Sequence, residues 1–160
     1  DAALLRVRQR DPRLGFVGEI ESVDASVIHS VLNDGAIPVI ATIGSDGHGQ
    51  AFNVNADTAA AAIAGALSAQ KVIYLTDVPG ILRDLNDVQS LVARATRREI
   101  SEMIRTGVID GGMIPKVESC LHALDAGVSD AHILDGRVEH VLLIELFTEA
   151  GVGTMIVAGS

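Results

Sequence analysis

The 160-residue chain holds one cysteine, no tryptophan, four prolines and only 2% aromatic residues. A single cysteine, Cys120, excludes an internal disulfide and fits a reducing compartment, the cytoplasm. With so few aromatics, the core has to be built from Val, Ile, Leu and Ala. Cations are scarce as well: 12 Lys and Arg stand against 21 Asp and Glu, a net charge of -9. That balance argues against a nucleic acid or an anionic membrane as partner. No segment approaches the roughly 18 to 20 apolar residues of a membrane span. No basic-then-apolar signal peptide opens the chain. The pattern G-x-x-x-x-G-K-[ST] is absent, so there is no P-loop, and neither "GVGT" nor "GSDGHG" fits a dinucleotide fingerprint. His29, His48, His122, His132 and His140 lack metal-ligand spacing, and Ser119 has no recognisable base partner.

What is present suits one domain over residues 1–160 with one sizeable core: 48% of residues are hydrophobic. The opening "DAALLRVRQRDPRLG" reads as the interior of a longer protein. Strand-like stretches alternate with helix-like ones. Leu14 to Asp24 carries strand alternation between turns. "ASVIHSVLNDG" spaces Val27, Ile28, Val31 and Leu32 as a helix does, with Asp24 to cap it and Gly35 to end it. Ala36 to Gly44 is a continuous apolar run of strand length, and "SDGHGQ" turns it into a hairpin with "AFNVN". A helix follows from about Asp57 to Ser68, then a buried strand over Lys71 to Asp77. Residues 84 to 95 form a polar loop with a short strand. "TRREISEMIRTG" is a helix whose Thr96 and Glu99 form a capping box. A glycine-rich loop enters the helix of "MIPKVESCLHALD"; "DAHILDG" is a strand, "HVLLIELFTEAG" a helix and "GTMIVA" a last strand. Strands apolar along their length, alternating with helices, predict an α/β protein: a mainly parallel sheet covered on both faces, a three-layer αβα sandwich. Ligands in such folds gather at the carboxyl ends of strands. Three polar or glycine loops fall there, at 53–57, 76–82 and 107–116.

In "NVNAD" a strand gives way to a helix. Asp57 suits a helix start. Capping needs one polar residue, whereas Asn53 and Asn55 add two more on one face of the strand, a floor suited to a small polar substrate. Lys116 is one of only two lysines, the other being Lys71. It follows Pro115 in a first helical turn, where a cation opposes the helix dipole by roughly 0.3–1 kcal/mol unless an anion lies nearby. Helix starts after glycine loops are natural phosphate sites. An exposed lysine that tolerates a small penalty is the alternative. Asp77 and Pro79–Gly80 can form a pocket wall, but taken alone they read first as ordinary turn chemistry.

Together, "LGFVGEIESVD", "FNVNADTAAAAIAGAL", "YLTDVPGIL", "GMIPKV" and "GVGTMIV" resemble the acetylglutamate kinases of the amino-acid kinase family, over nearly the whole chain. The resemblance implies the carbamate kinase-like fold, of which this chain is the C-terminal, ATP-binding lobe. The family's N-terminal lobe, with a first lysine and two glycine-rich loops, has no counterpart before Asp24. The implied activity is transfer of phosphate from ATP, with Mg²⁺ held mainly through the nucleotide phosphates, to the side-chain carboxylate of N-acetyl-L-glutamate in arginine biosynthesis. Asn53 matches the asparagine that holds the acetylated substrate, Asp57 the aspartate that organises the catalytic lysines, and Lys116 the lysine that stabilises the transferring phosphoryl group. Asp77, Val78, Gly80, Ile81 and Leu82, with Val108, Ile109 and Asp110, match loops of the nucleotide pocket. "HVLLIELFTEAGVGT" is similar to the effector segment of arginine-inhibited members, with His140, Glu145 and Gly153 as candidates. Full-length relatives imply a homo-oligomer. On this reading the 160 residues alone have little or no kinase activity. Competing readings are another amino-acid kinase, a non-catalytic arginine-sensing module, and, lower, an oxidoreductase domain.

Overall fold

The computed structural model describes residues 3–148 and 151–159. The chain forms two compact units, Asp1–Ser68 and Ala69–Ser160. In the first unit the elements are β1 (Leu5–Gln9), β2 (Gly18–Val23), α1 (Ser26–Asn33), β3 (Ile43–Ser45), β4 (Ala51–Asn53) and α2 (Ala56–Ala66). Its sheet has the order β2-β1-β3-β4, with β1 antiparallel to β2 and parallel to β3, and β3 antiparallel to β4. Leu5, Val7, Phe52, Val54 and Ala59 form its core. The alanines of α2 leave room for that packing, since Ala59, Ala61 and Ala64 are buried.

The second unit holds β5 (Lys71–Thr76), β6 (Arg94–Thr96), α3 (Arg97–Arg105), α4 (Met113–Asp125), β7 (Asp130–Asp135), α5 (Val141–Phe147) and β8 (Gly153–Val157). The sheet order is β5-β7-β8-β6: parallel, antiparallel, parallel. Ala131, Ile133, Leu134 and Ile156 of the sheet and Val117, Cys120 and Ala123 of α4 are wholly buried. Thr96 caps α3 and Glu99 returns the bond, the capping box expected from the sequence. Ile100 and Met103 fill the buried face of α3, while Arg105 and Glu102 pair on its outside.

The α/β class holds, and three details differ from expectation. The sheets are mixed rather than mainly parallel, because the Asp46–Gln50 turn joins β3 to β4 as a hairpin and β8 lies antiparallel to β7. The run from Ala36 to Thr42 is not a strand; the Thr42 carbonyl accepts the Val54 N–H at 2.9 Å, and the strand register begins at Ile43. Pro38 has no N–H to give a ladder, and Ile37 and Val39 are 89% and 96% exposed. Conversely, β1 escaped the sequence reading: its buried Leu5 and Val7 alternate with exposed Arg6 and Arg8. Among the described residues no helix is long and apolar enough to cross a membrane.

Candidate functional site

In the first unit, β4 continues extended into "NVNAD", burying Phe52 and Val54 and exposing Asn53 and Asn55 on the other side. The helix cap is Asn55, not Asp57: its Oδ1 accepts the Thr58 N–H at 3.0 Å and the Thr58 hydroxyl at 3.2 Å. Asp57 lies in the first turn of α2, half-buried. The side chain of Asn53 is exposed, while its backbone N–H donates to the Phe16 carbonyl at 2.8 Å.

In the second unit, β5 and β7 run parallel, so their carboxyl ends lie side by side, with Thr76 in register with Asp135. Asp77 leaves β5 exposed, and Val78 is half-buried. Gly80, Ile81 and Leu82 are buried, so their side chains and backbone build the wall of this loop. The Ile81 N–H donates to the Thr154 hydroxyl at 2.9 Å and its carbonyl accepts from Val92 at 2.8 Å. Beside Asp77, Asp135 accepts three hydrogen bonds from Arg137, which hold its carboxyl at about 2, well below the ordinary 3.8.

The third loop closes α3 and opens α4. Val108 and Ile109 both donate backbone N–H groups to the Met103 carbonyl; Ile109 is buried, Val108 half-buried and Asp110 exposed. Val108 also lines a cleft of about 630 Å³ with Arg83, Arg98, Arg105 and Met103. Two of these arginines, Arg98 and Arg83, help hold the Glu99 carboxyl below its ordinary value, after the N–H and hydroxyl of Thr96. Space is open above Gly111 and Gly112, where a Cβ would meet nothing. Lys116 is the fourth residue of α4, half-buried, with Nζ 5.8 Å from the centroid of the Tyr74 ring.

A separate cavity of about 240 Å³ is lined by Lys71, His132, Glu145, Thr148, Gly151, Gly153 and others. The structure thus brings Glu145 and Gly153 together. His140 is not in that lining; it precedes α5 in a left-handed conformation, its ring beside Glu139. Glu149 and Ala150 of the same segment lie outside the described residues. His132 was passed over in the sequence for want of ligand spacing, yet it is wholly buried. Its Nδ1 meets Glu145 at 2.7 Å and its Nε2 meets Asp130 at 2.5 Å. The available signal was a histidine inside an apolar strand, where a buried polar ring requires partners. Cys120 is in the core and His122 on the outside of α4, as the sequence suggested.

A sequence model of the amino acid kinase family matches residues 1–135. An acetylglutamate kinase of Porphyra purpurea is 48% identical over 158 residues, 98% of this chain and 56% of that protein. An N-acetylglutamate synthase from Neisseria gonorrhoeae, solved with coenzyme A and L-arginine, superposes with a TM-score of 0.88 at 28% identity, over 99% of this chain and 37% of that one. A carbamate kinase from Giardia lamblia bound to AMP-PNP shares the fold, with a TM-score of 0.68 at 17% identity, over 96% and 59%. The chain spans about half the length of the curated relatives it matches.

Proposed function

Because the chain belongs to the amino acid kinase family, we propose that it is the nucleotide-binding part of an acetylglutamate kinase. The parent reaction is attack by the side-chain carboxylate of N-acetyl-L-glutamate on the γ-phosphorus of ATP. The bond from that phosphorus to the β–γ bridging oxygen breaks, leaving ADP and an acyl phosphate. An anion attacks an anion, so the barrier is largely charge repulsion, and catalysis is positioning plus positive charge.

The observation that carries this reading is a half-buried lysine, Lys116, in the first turns of α4 behind a glycine loop with open space above it. Glycine-loop amides, a helix N-terminus and an ammonium make a phosphate-binding set. The walls at Gly80–Leu82 and Val108–Asp110 would bound the nucleotide; the arginines near Val108 share their cleft with Glu99 and Glu102. Mg²⁺, when bound, would neutralise phosphate charge and be carried by the nucleotide's own oxygens; among the described residues no cluster of three metal-ligating side chains is present. Asn53 and Asp57 keep their proposed roles toward the acetylated substrate and the catalytic lysines.

The cavity of Lys71, His132, Glu145 and Gly153 supports an effector role for this segment. Its carboxylate, Glu145, is held by the His132 ring and the Val152 N–H, so a cationic ligand such as arginine would have to share it. We also assign the parent to the cytoplasm and to a homo-oligomer.

Calorimetry of the 160-residue chain tests the proposal. Magnesium AMP-PNP binds weakly, and Lys116→Ala lowers the affinity by about tenfold, the loss of one charge-assisted contact. Equal binding by wild type and Lys116→Ala overturns the kinase reading. Arginine binding with no nucleotide binding favours the sensing module instead.

A further inference from the structure

Tyr74 is the only tyrosine of the chain and is 4% exposed. It is the fourth residue of β5, in register with Ile133 of β7, and shares its buried face with Val72. Nothing in the sequence pointed to it beyond core packing. Yet the Lys116 ammonium stands 5.8 Å from its ring centroid, within the distance at which a cation is attracted to the face of a π-system.

Two physical facts give that contact a purpose. A lysine in the first turns of a helix faces the positive end of the helix dipole, and the electron-rich ring face offsets this. A lysine stem also has four rotatable bonds, so an anion that captured a free ammonium would have to order it. A ring locked in a packed core removes much of that freedom beforehand. We propose that Tyr74 is a positioning residue: its ring face holds the Lys116 ammonium and sets the direction from which the amine meets an anion at the start of α4. The phosphate-facing part of this inference rests on the nucleotide reading above; the contact itself does not.

The chain is well suited to a direct test, having two lysines and one tyrosine. With lysine labelled by ¹³C, NMR of the wild type shows nuclear Overhauser effects between the end of the Lys116 side chain and the Tyr74 ring, and a ring-current displacement of Lys116 that Lys71 lacks. Tyr74→Phe keeps the ring face and retains both features. Tyr74→Leu loses them while Lys71 stays in place, and weakens magnesium AMP-PNP binding by about two- to fivefold, the size of one cation–π contact. Tyr74→Phe binds as wild type does, which a merely structural need for the hydroxyl would not allow. A Lys116 signal unchanged in folded Tyr74→Leu overturns the proposal. So does the absence of the Overhauser effects in wild type, whether or not the leucine variant folds. If those effects follow the ring as stated while no form of the protein binds nucleotide, the positioning contact stands and the nucleotide reading alone fails.

Discussion

At the scale of single residues, the loop after β5 depends on one glycine and one hydroxyl. Gly80 has φ of +137°, and a Cβ there would come within 2.7 Å of the Thr154 oxygen. That oxygen already accepts the Ile81 N–H in a buried setting. Gly80→Ala therefore costs about 1–3 kcal/mol from strained backbone, read as a lower urea midpoint with unchanged slope. Asp135 makes a second prediction. Arg137 holds its carboxyl at about 2 in the folded chain, against an ordinary 3.8. A depressed folded value means the stabilisation is present above the unfolded value and disappears as pH falls from about 4 to about 2. Asp135→Asn should thus melt below wild type at pH 6, by a gap that closes as pH nears 2. A gap independent of pH excludes the ion pair as its cause. Neither Thr154 nor the buried His132 could be assigned a role from sequence. Their partners, Ile81 at 73 residues' distance and Glu145 at 13, are set by how β8 and α5 return to the sheet.

At the scale of elements, local signals were legible and shared edges were not. The α3 capping box and the β3–β4 turn lie within a few residues, so the sequence carries them whole. At α2 the cap is local too, yet the sequence pattern assigns it to Asp57 and leaves Asn55 to a substrate floor; the extended backbone at Asn55 makes that residue the cap. Asn55→Ala should lower stability by about 1 kcal/mol, measured by chemical unfolding, while Asp57→Asn leaves Asn55's two bonds to Thr58 intact. The segment 36–42 failed as a strand because an apolar run signals a pleated surface, not the neighbour that would pair with it. Ile37, Val39, Ala41 and Ile43 are exposed and Pro38, Ile40 and Thr42 half-buried, a period of two. An apolar, strand-like edge is a template for pairing with another chain. Val39→Lys should lower concentration-dependent association in sedimentation velocity while changing stability by no more than about 0.5 kcal/mol. Association undiminished by the charge shows that this edge is not what copies share.

At the scale of the whole molecule, the residues that the family pattern links to chemistry fall in both units: Asn53 and Asp57 in the first, Lys116 and the nucleotide loops in the second. The charge available to them is limited. The chain has only two lysines, and Lys71 is ion-paired with Asp130 at 3.3 Å. Moving a phosphoryl group between two anions needs positive charge on more than one side of the transferring atom. The absence of one such preorganised group typically lowers a rate by about 10²–10³. We therefore expect binding without turnover. In a coupled assay, acetylglutamate-dependent ADP release by the 160 residues should stay at the level seen without acetylglutamate, even where calorimetry detects nucleotide. Robust turnover would refute this and place the full set of cations within the chain itself. Turnover that appears only when the N-terminal half of a homologous acetylglutamate kinase is added, and that Lys116→Ala removes again, would tie the chemistry to both parts.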